Sequence, residues 1–176
     1  YGLLFGVVSK ADSLFAEVDS CYNQLRKRAS LSSSSLSIVS ELKSGSAWYV
    51  PGGCSTIGRL FNDACGRYAF AGDKHSGSIP LAFETVFDKA GDADVWTIKY
   101  NRDRDMTYSD LKADYIGYTG FKAFKTRNIY GCNTAKVPFY EETPFRPDYL
   151  LSDLIQILHP EIGDLGGLRY FCKLNE

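Results

Sequence analysis

Pro147 and Pro160 bracket the segment whose conformation is most tightly constrained. Pro147 suits the first turn of a helix, where its missing N–H would have no partner anyway. Leu150, Leu151, Leu154, Ile155 and Leu158 recur at helical spacing and form a wide apolar face. Asp148 and Asp153 lie toward the positive end of the helix dipole. Pro160 stops the helix, because the residue before a proline is pushed out of the α region. A rigid helix therefore fixes the exit of the preceding loop, which carries Phe139, Tyr140, Glu141, Glu142 and Phe145. Mounting an aromatic-rich loop on a rigid element is a common way to build a binding surface.

The rest of the chain alternates between strand and helix patterns. From Lys10 to Ala29, Ala11, Leu14, Phe15, Val18, Tyr22 and Leu25 keep a helical period, and Arg26, Lys27 and Arg28 suit the negative end of the dipole. The serine run from Ser30 to Ser37 is a loop by composition, a solvated one rather than a phosphorylated linker. Leu36–Leu42 and Ala47–Val50 read as strands about a turn at Gly45. Gly52 and Gly53 then open a helix from Ser55 to Cys65, with Ser55 or Thr56 as its N-cap. Two glycines before a helix N-terminus either make a tight turn or let the backbone approach a ligand closely. Neither the Walker spacing nor GxGxxG is present.

Downstream, Leu81–Ala90 reads as a helix, Ala93–Ile98 as a strand, Tyr100–Asp105 as a turn, Tyr108–Ala113 and Phe121–Phe124 as short helices, and Asn128–Tyr130 as a strand. This order predicts an α/β fold: a three-layer lobe whose mainly parallel central sheet is flanked by helices. Ligands of such sheets collect beyond the carboxyl ends of the strands. Trp48, the Gly52–Gly53 turn, Tyr100, Asn133, Phe139 and Tyr140 all follow predicted strands and are expected to share one rim.

Composition narrows the function. A net charge of -1 gives no electrostatic ground for a nucleic-acid partner. No apolar run reaches the roughly 18 residues of a membrane span, and no signal peptide is visible. Cys21, Cys54, Cys65, Cys132 and Cys172 show no CxxC spacing, so neither a zinc site nor a disulfide framework is expected, and no resident cofactor is predicted. His75 lies in a polar loop and His159 at a helix end, and no GxSxG or HExxH occurs. Glu141 and Glu142 point apart if their loop is extended, which makes them a poor acid/base pair. The weaker alternative to a binding protein is a small α/β hydrolase or transferase using Glu141, Glu142 and His159. A third is a partner-recognition module whose aromatic rim meets another protein.

The run Tyr140-Glu141-Glu142, Arg146-Pro147-Asp148, Leu150-Leu151, Asp153-Leu154-Ile155, Leu158-His159-Pro160-Glu161 resembles the C-terminal end of ABC-importer substrate-binding proteins for iron-siderophores, haem and cobalamin. The resemblance continues in order through almost the whole chain and matches the second half of such a protein. It implies a lobe-connecting helix over residues 1–29, with Tyr1–Val8 its more apolar start, and a substrate-binding lobe over residues 30–176. Trp48 and Tyr49 become stacking surfaces, Ser55 a polar contact, and Gly52, Gly53, Tyr100, Asn133, Phe139 and Tyr140 further ligand-binding positions. Glu84 takes the place of a glutamate that docks on an arginine of the membrane permease. The implied partners are ABC permease subunits and an iron-chelate, haem or cobalamin ligand. The implied location is the periplasm, or a lipid anchor at the cell envelope. With so few histidines and methionines, a chelate complete in itself is the favoured cargo. One lobe covers one wall of the cleft, so weak binding is expected of this chain alone, together with self-association through the apolar face of its first helix.

Overall fold

The computed structural model describes residues 2–163 and 165–176. The first helix, α1, runs Val8–Ser30 and carries Lys27 and Arg28 in its last turn. Residues 2–6 form a turn instead of helix, because Gly6 adopts φ 66° and Val7 N–H bonds back to Gly2 O at 2.9 Å. Tyr1 lies outside the described residues. After α1 come β1 (Ser37–Ser40), β2 (Lys43–Ser44), β3 (Ala47–Pro51), α2 (Thr56–Asp63), β4 (Arg67–Tyr68) and β5 (Ser78–Leu81). Then follow α3 (Phe83–Ala90), β6 (Val95–Tyr100), α4 (Tyr108–Asp114), a 3-10 turn (Ile116–Gly120) and α5 (Lys122–Lys125). The chain continues through β7 (Ile129–Asn133), α6 (Phe139–Glu142), α7 (Pro147–Leu158) and β8 (Cys172–Lys173).

The main sheet has the order β4-β1-β6-β7-β8, parallel except for β8. A second, antiparallel sheet, β2-β3-β5, lies apart from it. Ala47–Val50 therefore belongs to this smaller sheet and not to the parallel one. The helix expected from Leu81 starts at Phe83, because Ser78–Leu81 pairs with β3. Pro80 is accommodated there on an edge strand, where a missing N–H does least harm.

Side-chain alternation on β6 assigns the two faces of the main sheet. Thr97 faces Ile57 and Phe61 of α2 and Leu150 and Leu154 of α7. Trp96 faces the other way, with ring centroids 5.6 Å from Trp48, 5.2 Å from Tyr118 and 5.0 Å from Phe121. α1 packs on α7 and is tied to α2 by Tyr22 and Arg26, which meet Asp63 at 2.7 and 3.1 Å. Only part of its apolar stripe is covered: Val18 is buried, whereas Phe15 is 73% exposed.

α7 forms between its prolines as the sequence predicts, with Pro147 in the first turn. Asp148 lies in that turn and accepts both prongs of Arg146, at 3.0 and 2.7 Å. Asp153 differs from expectation. It is buried in mid-helix and accepts the backbone N–H groups of Arg169, Tyr170 and Phe171 at 2.8, 2.7 and 3.2 Å. Burial pushes its carboxyl above the usual range, while those three donors pull it back. Asp153 thus holds the segment that delivers β8 to the edge of β7. Replacing it by alanine strands buried donors, each costing about 1–3 kcal/mol. Asp153→Ala should therefore lower unfolding stability by about 3 kcal/mol or more in urea titration.

Candidate functional site

The site follows from strand order. β1 is joined onward to β4 on one side, while β6 enters on the other side and leads to β7. The chain reverses direction between β1 and β6, and the crevice beyond their carboxyl ends is where open α/β sheets take ligands. Glu41 follows β1 with φ 68°, its N–H bonded to Thr97 O at 2.9 Å. Its carboxylate forms an ion pair with Lys99 of β6. Both side chains are about four-fifths shielded, at 21% and 19% exposed. The Lys99 ammonium also lies 5.6 Å from the centroid of the Phe139 ring. Beneath the pair is a slot of about 10 Å³, lined by Ser40, Thr97, Phe139 and Leu154 among others, with room for a single water.

The same edge carries three loops. A parallel βαβ crossover brings the N-terminus of α2 and the carboxyl end of β4 to it. Ser55 caps α2 as predicted: its Oγ accepts from Gly58 N–H at 3.0 Å and donates to Gly52 O at 2.7 Å. With both bonds made and the residue buried, Ser55 has no hydroxyl to offer a ligand. The approach that Gly52 and Gly53 permit is taken by protein. A Cβ on Gly52 would lie 2.4 Å from His75 O, and one on Gly53 2.2 Å from Ala71 O. Residues 71–77 therefore lie directly on the glycine turn. Asn133, at the end of β7, donates to Arg102 O at 2.8 Å and accepts from the N–H groups of Arg102 and Ala135 at 3.2 Å. The Tyr100 hydroxyl accepts from Met106 N–H at 3.1 Å. These two residues shape the loop over residues 101–106.

The aromatic rim expected from sequence is not assembled. Trp48 is fully buried, its Nε1–H donating to Ser40 O at 2.9 Å. Phe139 is buried under Lys99 and Tyr170. Tyr49 and Tyr140 are open, at 49% and 62% exposure. The reason for the first pair is alternation: neighbouring strand residues face opposite sides, so Trp48 and Tyr49 cannot both stack on one ligand. Phe139 and Tyr140, consecutive on the helical turn 139–142, stay in edge-to-face contact at 5.3 Å, Phe139 on the buried side and Tyr140 on the open side. Glu84 is exposed in the first turn of α3.

The alternative catalytic set is dispersed. Glu142 is held by Arg169 through two bonds of 2.6 Å and by the Tyr170 hydroxyl at 2.8 Å, and the Arg169 bond keeps its carboxyl below the usual range. His159 is wholly buried at the far end of α7, a helix of 12 residues and so about 18 Å long. Its Nε2–H donates to Ala64 O at 2.7 Å, and its Nδ1 accepts from the Ser32 hydroxyl at 3.0 Å. It ties three segments together and cannot serve Glu141 or Glu142.

Glu41, Lys99 and the Asp73–His75 loop were not singled out from sequence. The lysine inside the apolar run Val95–Ile98–Lys99 was the available signal, since a charge beside a buried strand needs a partner. Removing one member of a fully buried ion pair costs about 3–5 kcal/mol, and partial exposure reduces this. Lys99→Met and Glu41→Gln should each destabilise by about 1–3 kcal/mol, with the double variant recovering most of the loss in a double-mutant cycle.

Comparisons with known proteins agree with this architecture. The family model described as periplasmic binding protein matches residues 2–135. The uncharacterized lipoprotein MJ0878 of Methanocaldococcus jannaschii is 31% identical over 128 residues, covering 72% of this chain and 30% of the relative. A periplasmic heme binding protein from Pseudomonas aeruginosa superposes with TM-score 0.72 at 14% identity, over 99% of this chain and 62% of that one. TroA-like FepB from Veillonella parvula gives TM-score 0.70 at 14% identity, over 99% and 59%. S. aureus IsdE complexed with heme gives 0.68 at 17% identity, over 90% and 60%. The chain thus spans about three-fifths of these solved structures and under a third of the lipoprotein. With a family match over most of its length and the family's open α/β lobe in its fold, the chain belongs to the periplasmic binding proteins.

Proposed function

We propose that this chain is the substrate-binding component of an ABC importer, taking an iron chelate, haem or cobalamin-type ligand and delivering it to a membrane permease. The family match over residues 2–135 carries this reading. The loop-bearing carboxyl edge at the β1/β6 reversal supports it, as does the heme named for two of the structural neighbours. Location in the periplasm, or at the envelope through a lipid anchor, accords with the family and with the lipoprotein relative. Tyr49 and Tyr140 are the rings proposed to touch cargo. Trp48 and Phe139 stiffen the wall behind them, and Gly52, Gly53, Ser55, Tyr100 and Asn133 set the loop shapes. Glu84 is the proposed contact with a permease arginine.

Titration calorimetry on the protein purified from its natural source, with haemin, a ferric siderophore and cobalamin in turn, should give saturable binding of one class at one site. Silence with all three would remove the proposal. Glu84→Ala should leave the unfolding midpoint unchanged and cut uptake in cells by at least about tenfold, because a close charge pair at an interface is worth about 1.5–7 kcal/mol while an exposed one within a monomer adds little. Normal uptake by that variant would place the docking contact elsewhere.

A further inference from the structure

Ser40 ends β1 with a buried hydroxyl that has no protein partner. The residue is 2% exposed, and among the described residues nothing forms a hydrogen bond with its Oγ. Tyr68 lies beside it, but the Tyr68 hydroxyl donates its proton to Pro51 O at 2.7 Å and stands outside hydrogen-bonding geometry for Ser40 Oγ. A hydroxyl left bare in the interior bears its full desolvation cost, and native proteins rarely tolerate that. The β1–β6 register sets Ser40 beside Thr97, so both side chains stand on the face toward α2 and α7. Both line the slot of about 10 Å³ beneath the Glu41–Lys99 pair.

The walls of the slot say what fills it. Polar groups enter from Ser40, Thr97, Glu41 and Lys99, and the lower wall is apolar, from Phe61, Leu150 and Leu154 among others. Glu41 and Lys99 neutralise each other, so no net charge calls for an ion. Two hydroxyls are too few oxygen ligands to replace the hydration shell of a cation. The volume matches one water, and a buried water needs about two to four polar partners, which this slot provides. We propose that a single water is bound here, bonded to Ser40 Oγ and Thr97 Oγ1 and capped by the Glu41–Lys99 pair. Ser40 and Thr97 form the last rung of the β1–β6 ladder, so the water adds a side-chain link where the chain reverses direction. It is a fixed part of the crevice floor, whatever cargo the crevice takes.

The test is nuclear Overhauser spectroscopy on the methyl-labelled full chain, paired with urea unfolding. Leu150 and Leu154 are 2% and 1% exposed, so bulk solvent does not reach their methyl groups. Wild type should show cross-peaks from these methyls to water, with the sign of a molecule that tumbles with the protein. Ser40→Ala should weaken the cross-peaks and lower the unfolding midpoint by about 0.3–0.7 M urea, because the water loses a partner. Thr97→Val should act in the same direction, and the double variant should lose less than the two shifts combined, because both act on one water. A raised midpoint for Ser40→Ala overturns the proposal, since removing a hydroxyl that has no partner relieves its desolvation. A wild type without the cross-peaks does so too. So does a crystal structure with an ion in the slot, or with a dry slot and Ser40 Oγ bonded to the Tyr68 hydroxyl.

Discussion

Two indole N–H groups hold the reversal point of the sheet. Trp48 Nε1 donates to Ser40 O and Trp96 Nε1 to Glu41 O, both at 2.9 Å, so consecutive carbonyls at the end of β1 are bonded from two different sheets. Each such bond contributes only about 0.5–1.5 kcal/mol net, but a buried carbonyl left bare would cost about 1–3 kcal/mol. The ring contact between the indoles adds about 0.5–1.5 kcal/mol beyond burial. Held from both sides, the backbone turns at Glu41 into positive φ, and the carboxylate meets Lys99. The crevice, its ion pair and the water-sized slot below all depend on that clamp.

This explains why aromatic content served function indirectly. The large rings of this chain are mostly spent inside, where Trp48, Trp96, Tyr118 and Phe121 join the small antiparallel sheet to the parallel one. Packed rings hold the loops of the carboxyl edge in fixed positions. What faces outward is more polar: two tyrosines, an imidazole on its carboxylate, and loops tied to one another by Asn133 and the glycine turn.

The helices were legible because their signals are local. α7 is written by Pro147, Pro160 and the leucines between them, α2 by the Ser55 cap, and α1 by its period and basic end. The short strands β4 and β8 were not, since two residues carry no periodicity, and Pro80 spoke against β5. The candidate site was half legible. Following a strand placed Tyr100, Asn133 and Tyr140 near one edge, but Trp48 and Phe139 turned inward by alternation and by a helical turn that single-residue reading overlooks. Glu41 and Lys99 are far apart in the chain and meet only because β1 and β6 pair, which is a fact of topology and not of any local motif.

The clamp also imposes an order on assembly. β1 takes both of its sheet neighbours, β4 and β6, from later in the chain, and one of its two carbonyl partners is Trp96. No hairpin can nucleate this sheet, and the loop that must close between Ser40 and Trp96 is paid for in entropy before any contact rewards it. Without β6, the segment from α1 to α3 would therefore hold helices but no finished crevice. The carboxyl edge is complete only when β6 pairs beside β1.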